Sequence, residues 1–168
     1  MRVAAIALIL LVTSCGYGFV DERAVFGPGT RRIEIRAFEN RSNQPGYEHV
    51  VADALAEEFS RRGALLPVYQ DSPGELVLAG RIESVSVQPR SFSSVALAVE
   101  DTVELRVAVE VRRSGDGDLV WKHDDLRISE LFLSSPDPNV QLSNREQALR
   151  RLSALLAERI HDELFQIF

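Results

Sequence analysis

Alternating apolar and polar positions predict three β-strands in this chain, and the glycines and aspartate of a hairpin at 114–117 predict a fourth that returns beside the third. The strands cover Arg32 to Phe38, Leu76 to Val87, Val95 to Val111 and Leu119 to Leu133. A period of two places every second side chain on the same face of a sheet, so each strand has one face to bury. The third strand has the most regular pattern, because its valines and leucines fall at odd positions, and we expect it to be central.

The second strand changes its buried face part of the way along. Its apolar residues share one parity up to Ile82 and the other parity from Val85 onward. We expect a β-bulge or bend near Ser84, because one extra residue reverses the alternation. Pro89 marks the expected end of this strand, and the turn that follows would hold Arg90 at its tip.

The first of two amphipathic helices is predicted between Glu48 and Arg62. Val51, Leu55 and Phe59 recur there at four-residue spacing and form an apolar stripe that can pack on a sheet. Gly63 suits the left-handed conformation that ends a helix.

The second helix is predicted to begin at Ser143, which forms a capping box with Glu146. An apolar stripe then continues to Ile167, so this final helix is long. The preceding segment 134–139 contains two prolines and is predicted to be a surface loop.

The order strand, helix, strand, strand, strand, helix predicts an α+β fold with a four-stranded mixed sheet. The first two strands would be parallel and joined by a right-handed crossover, and the last three would form an antiparallel meander. Both helices can pack on one face of this sheet. The other face is then left to solvent, a ligand or a partner, and residues 31–168 form a single domain.

The N-terminal segment has the pattern of a lipoprotein signal. Arg2 is followed by an apolar run that ends at Val12 and is too short to span a bilayer. The sequence Val-Thr-Ser-Cys at 12–15 resembles a bacterial lipobox, and Cys15 is the only cysteine in the chain. We therefore predict a signal peptide at 1–14, a diacylglycerol on Cys15 and a lipidated tether at 15–30. The alternative is an ordinary signal peptide with an incidental cysteine.

Charge and motifs exclude several classes of function. The formal net charge is −6, so no general affinity for nucleic acid is expected. His49, His123 and His161 fall in different predicted elements without metal-ligand spacing, and no nucleophile elbow, phosphate loop or dinucleotide fingerprint is present. We predict no catalytic residues, no cofactor and no metal. A secreted hydrolase would need histidine and aspartate side chains that converge only in the fold.

Basic residues near the sheet edges are the remaining candidates for binding an anionic ligand. They are Arg81 on the second strand, Arg90 beyond Pro89, and Lys122 on the fourth strand. A guanidinium group suits the geometry of a phosphate, which makes Arg90 the most interesting of the three. The alternative is that these outward charges serve only solubility.

Several segments, taken in order, resemble the LptE family of lipopolysaccharide-assembly lipoproteins. They are Cys15-Gly16-Tyr17 at the mature start, the first strand through residue 40, the helix end at 58–63, the segment 76–82 and the last amphipathic helix. The resemblance implies a non-enzymatic lipoprotein of the outer membrane that faces the periplasm and plugs the LptD-type β-barrel translocon. It also implies help in assembling that barrel and in inserting lipopolysaccharide.

The resemblance further implies lipopolysaccharide binding through basic residues in two loops. The loop between the second and third strands offers Arg90, whereas the segment 134–144 before the last helix has no lysine or arginine. One alternative remains open on the same fold, since fold does not dictate function. It is a lipid-anchored periplasmic binding module that regulates a cell-wall synthase or a secretion pore.

Overall fold

The computed structural model describes residues 26–27, 29–68, 73–92 and 98–166. The predicted signal peptide, the predicted lipid on Cys15 and most of the predicted tether lie outside these residues. So do residues 95–97 at the predicted start of the third strand.

The described residues form six strands and two helices. In chain order they are β1 (Arg32–Ile35), β2 (Glu39–Asn40), α1 (Tyr47–Arg62), β3 (Leu66–Val68), β4 (Leu76–Phe92), β5 (Ala98–Arg113), β6 (Leu119–Leu133) and α2 (Pro138–Gln166). The strands make one mixed sheet in the order β3-β1-β4-β5-β6, and β2 pairs with β4. The predicted α+β class is confirmed, whereas the predicted number of four strands is wrong.

The two additional strands are too short to produce an alternating pattern. β3 has three residues, and β2 is the far end of a strand that breaks after Ile35. Phe38 lies in this break and packs over Gly80 of β4, where a Cβ atom would be 2.3 Å from the Phe38 ring. The aromatic ring therefore requires a glycine beneath it. β1 and β2 each remain parallel to β4 on either side of the break.

The predicted topology of the main strands is confirmed. β1 and β4 are parallel and are connected through α1, while β4, β5 and β6 are antiparallel. The register of β4 against β5 shifts between Ile82 and Ser84, as the change of parity predicts. The bulge keeps Ile82 and Val85 buried in the same core.

Pro89 does not end β4, so the predicted turn with Arg90 at its tip is wrong. The strand continues to Phe92, and Pro89 pairs with Asp101 of β5. Among the described strands, none pairs with the other edge of β4 beyond Ile82. A proline is tolerated on such an edge, because the N–H that it lacks can face away from the ladder.

Helix α2 begins five residues before the predicted start. Pro138 occupies the first turn, where its missing N–H removes no helical hydrogen bond. The Asp137 carboxylate accepts hydrogen bonds from the backbone N–H groups of Asn139 (2.8 Å) and Val140 (3.3 Å), so Asp137 is the cap. The capping box predicted at Ser143 is therefore wrong.

Both helices pack on one face of the sheet around a single core. The largest fully buried side chains come from both helices, from β1, β4 and β5, and from Leu65. They are Phe59, Ile33, Leu55, Leu65, Leu76, Leu78, Ile82, Leu105, Leu152, Leu156, Ile160 and Leu164. The opposite face of the sheet carries the charged positions of the strands and is not covered by either helix.

A buried hydroxyl pair joins the two helices within this core. The Ser153 hydroxyl donates a hydrogen bond to the Tyr47 oxygen (2.8 Å), and the Tyr47 hydroxyl donates one to the carbonyl oxygen of Leu149 (3.0 Å). Burial raises the pKa of Tyr47 to about 12. The phenol therefore stays neutral and keeps its donor at physiological pH.

A cluster of charges also links α1 to α2. The Glu58 carboxylate is buried and pairs with Arg61 and Arg62, whose guanidinium groups reach Glu158 (3.7 Å) and Asp162 (3.1 Å) on α2. Burial by itself raises the pKa of Glu58, but the hydrogen bonds from the two arginines outweigh it and hold the pKa below its ordinary value. The ionised form is thus the stable one in the folded protein.

We expect a Glu58→Gln variant to lose about 1–3 kcal/mol of unfolding free energy near neutral pH, because two charge-assisted hydrogen bonds weaken. The folded-state pKa is below the unfolded-state value, so the stabilisation is present above the unfolded pKa and is lost as pH falls through the folded pKa. Urea unfolding at decreasing pH should show the unfolding free energies of the Glu58→Gln variant and the unsubstituted protein converging. Glu57→Gln, at the exposed neighbouring position, should change little. Equal losses in both variants would contradict the role of Glu58.

Candidate functional site

The uncovered face of the sheet, here called the open face, is dominated by ion pairs. Side chains two residues apart on a strand share a face, and oppositely charged residues occupy such positions on several strands. The pairs are Glu34 with Arg36, Arg81 with Glu83, Glu110 with Arg112, Lys122 with Asp124, and Asp125 with Arg127. The open face is therefore strongly polar, with its charges locally neutralised.

A shallow depression of about 300 Å³ lies in the middle of the open face. Its floor is low because Ala79 of β4 and Ala108 of β5 have short side chains. Glu110 pairs across the sheet with Ala79 on one side and with Lys122 on the other, and Arg81 pairs with Ala108. The structure thus brings two of the predicted basic candidates, Arg81 and Lys122, to the border of one depression.

The electrostatics of this depression do not favour an anion. Arg81 Nε lies 2.5 Å from Glu83 Oε1, and Lys122 Nζ lies 2.7 Å from Asp124 Oδ1. The hydrogen bond to Glu83 raises the pKa of Arg81 above its ordinary value. Glu39 lies on the same border, and a phosphate would have to displace carboxylates that already occupy both cations.

Arg90 lies apart from the other two candidates. It is exposed on the bulge between Pro89 and Ser91, nine residues along β4 from Arg81, which corresponds to about 30 Å of strand. No described residue forms an ion pair with it. We call this end of the molecule, where β4 and β6 end and β5 and α2 begin, the distal end.

The distal end carries most of the exposed large apolar side chains of the described chain. They are Val87, Val99, Leu131, Leu133, Val140 and Leu142. A groove of about 650 Å³ runs between β4 and the first turns of α2. Its walls include Val87, Phe132 and Leu142, and Arg145 lines it as well. We call it the distal groove.

Arg145 is a residue that the sequence pattern did not single out. Its Nε atom is buried, and none of the described residues accepts a hydrogen bond from it. The sequence held one signal for this position. Arg145 lies three and four residues before Ala148 and Leu149, so a helix that already runs through 145 presents the arginine on the apolar stripe.

The three histidines have different surroundings. His49 is exposed at the start of α1, and His123 Nε2 on β6 lies 4.0 Å from Glu163 Oε2. His161 is buried in α2 and stacks on the Phe165 ring at 4.4 Å. Within the described ranges, no three His, Cys, Asp or Glu side chains are arranged to hold a metal ion. Of the two described helices, neither is both long and apolar enough to cross a bilayer.

The sequence matches the LptE family, described as lipopolysaccharide-assembly, over residues 30–164. The chain belongs to the LptE family. The resemblance inferred from the sequence motifs is therefore confirmed, and the matched range covers the whole described sheet, α1, and α2 as far as residue 164. The LptE family is one of non-enzymatic lipoproteins that act in lipopolysaccharide assembly. No curated protein matches the sequence significantly.

Solved structures of several bacterial lipoproteins share the LptE-family fold. The rare lipoprotein B from Shewanella oneidensis has a TM-score of 0.53 and 13% identity, covering 80% of this chain and 95% of that one. A minor lipoprotein from Acinetobacter baumannii has a TM-score of 0.54 and 12% identity, covering 82% of this chain and 92% of that one. A putative lipoprotein from Caulobacter crescentus has a TM-score of 0.53 and 17% identity, covering 77% of this chain and 88% of that one. At these identities the likeness shows the fold alone.

One of the two basic loops implied by the LptE resemblance is shorter here than the sequence pattern predicts. Because α2 begins at Pro138, the loop before the last helix contains only residues 134–137, and none of them is basic. The first arginine after this loop is Arg145, inside the helix. In this member of the LptE family, the cations of the distal end are therefore carried by β4 and α2.

Proposed function

We propose that this protein is a non-enzymatic outer-membrane lipoprotein that plugs an LptD-type β-barrel translocon and assists lipopolysaccharide insertion. The observation that carries the proposal is the family match, which spans the whole described sheet, α1 and nearly all of α2. The fold adds a geometric reason. One sheet face is closed by helices, and the other is left open and hydrophilic.

The open face suits the interior of a large barrel. Barrel lumens are lined by polar side chains and contain water, so a surface placed there must remain hydrated. The ion pairs of the open face meet this condition, because each cation already has a carboxylate beside it. Such a surface can enter a polar lumen without leaving any of these cations unpaired.

The proposed lipid on Cys15 would hold the domain from the end opposite the distal end. Phe26 packs edge-on against Phe165 at the end of α2, with ring centroids 5.2 Å apart, and Arg113 donates a hydrogen bond to the Phe26 carbonyl oxygen (3.3 Å). Phe26 lies eleven residue-to-residue steps after Cys15, and these steps span at most about 40 Å. The tether is long enough for the domain to enter a barrel while its lipid stays in the inner leaflet.

Among the three basic candidates, Arg90 suits a lipopolysaccharide phosphate best. Its guanidinium has no carboxylate partner among the described residues, whereas Arg81 and Lys122 are occupied. An arginine fork can bind a phosphate through two parallel hydrogen bonds. We therefore assign the proposed contact with lipopolysaccharide to the distal end. The proposed contact with the inner wall of the barrel is assigned to the open face.

The test is recovery of partners from native outer membranes. Tagged full-length protein is extracted in mild detergent, and a tagged lipoprotein of unrelated fold is the control. We expect a large β-barrel in roughly equal amount with this protein and none with the control. Recovery of a cell-wall synthase or a secretion pore in place of the barrel would favour the alternative binding module and contradict the plug.

A further inference from the structure

The distal groove combines apolar walls with a single cationic group. Val87 and Phe132 of the sheet face Leu142 of α2 across it, and Arg145 lines the same space. Leu142 is 55% exposed, so the wall on the helix side is open to a partner. A groove of this kind fits a chain that presents apolar groups next to one negative charge.

The buried Nε–H group of Arg145 has no hydrogen-bond acceptor among the described residues, so an acceptor must come from elsewhere. A buried donor without a hydrogen bond is unfavourable, and a carboxylate oxygen would satisfy it. The Gln141 side chain, which also lines the groove, is already engaged. Gln141 donates a hydrogen bond to Asp101 Oδ2 (3.0 Å) and accepts one from the Ser135 backbone N–H (2.7 Å). The groove therefore holds a positive site that its own neighbours do not fill.

The apolar surface continues beyond the groove. Val99, Leu131 and Leu133 are exposed on neighbouring strands at the same end, and Leu131 and Leu133 point to the open face. A single acyl chain would fill the groove and leave these side chains uncovered. An extended protein segment that crosses the groove and continues over the strand ends would cover them.

The charge of the distal end also favours an acidic protein segment. Arg145 carries a positive charge in the groove and has no carboxylate partner among the described residues. The groove is also remote from Phe26, where the tether joins the domain. Twenty residues of α2 separate Arg145 from Phe165, about 30 Å of helix. The leaflet that would hold the Cys15 lipid is thus at the other end.

We propose that the distal groove binds an extended acidic segment of the barrel partner. One carboxylate of that segment pairs with Arg145, and the apolar side chains on either side of it pack against Val87 and Leu142. That the segment belongs to the barrel rests on the proposed function. Its acidic and apolar character is inferred from the groove alone.

The first experiment places a photocrosslinking residue, benzoylphenylalanine, at Leu142 of the full-length protein in native outer membranes. The control position is Leu155, which is 41% exposed on the same helix and does not line the groove. Mass spectrometry maps the crosslinked peptide. We expect the Leu142 probe to attach to a barrel segment with an aspartate or glutamate between apolar residues, and the Leu155 probe not to attach to that segment.

The second experiment tests the charge. Arg145→Glu should lower the crosslink yield at Leu142 by about tenfold or more, since two negative charges would face each other. Replacing the mapped acidic residue with arginine should restore it, which a merely structural role of Arg145 would not allow. Arg145→Gln is the milder variant if Arg145→Glu does not fold. Arg150→Glu, at an exposed position of α2 outside the groove, should leave the yield unchanged.

Two results would overturn the inference. A Leu142 crosslink to lipopolysaccharide, or to no protein, while the tagged protein still recovers the barrel, would leave the plug role intact and reject the acidic segment. Loss of barrel recovery by the unsubstituted tagged protein would reject the plug role and the inference together.

Discussion

A Cys15→Ala variant is expected to leave the membrane fraction and to accumulate as a soluble, folded domain. Cys15 is the only cysteine, so no other thiol can receive the lipid. Each buried acyl methylene contributes about 0.8 kcal/mol, and two or three chains hold a protein stably at a membrane. Fractionation of cells that express the tagged variant measures the loss directly. Recovery of the barrel should fall with it.

Ser14→Ala is the matched control for this experiment. It changes the neighbouring residue to another small one and keeps the thiol, so membrane retention should persist. The variant domain should still unfold cooperatively, because the described residues contain a hydrophobic core of their own. Normal membrane retention of the Cys15→Ala protein would contradict the lipid anchor.

A Leu152→Ala variant is expected to lose about 2–5 kcal/mol of unfolding free energy, because it opens a cavity in the core. Leu152 is 0% exposed on the face of α2 that packs on the sheet. For a domain of this size the melting temperature should fall by about 10 °C. Thermal and urea unfolding of the soluble domain measure both quantities.

Leu155→Ala provides the same chemical change on the same helix at an exposed position. It should alter the unfolding free energy by no more than about 0.5 kcal/mol. If both variants lost the same stability, the orientation of α2 on the sheet would be wrong. A large effect confined to Leu152 would support the packing of the helices on one sheet face.

The main strands and the first helix could be predicted because their signals are local. Alternation of side chains identifies β5, the hairpin residues at 114–117 identify the return strand β6, and the parity change near Ser84 locates the bulge in β4. Gly63 ends α1 in a left-handed conformation, with φ of 71°. These features depend on residues close together in the chain, so a periodic pattern is sufficient to find them.

The remaining elements could not be found in this way. β2 and β3 are too short to alternate, and they exist because parallel neighbours supply their hydrogen bonds. A proline within a strand pattern usually indicates the end of the strand. Pro89 lies on a sheet edge, where a proline is tolerated. Local rules put the start of α2 too late, because two competing caps, Asp137 and Ser143, precede the same apolar stripe.

The candidate site shows the same difference between features that a local sequence pattern predicts and features that depend on tertiary contacts. The sequence by itself determined that Arg81 and Lys122 lie on strands, and its ordered motifs determined the family, because both are properties of a linear pattern. Only the tertiary structure decided that Arg81 and Lys122 border one depression, that Arg90 lies about 30 Å of strand away, and that Arg145 enters a groove. The reason is physical. The charge and solvation of a side chain depend on neighbours from β4, β6 and α2, which are distant in sequence and meet only in the folded protein.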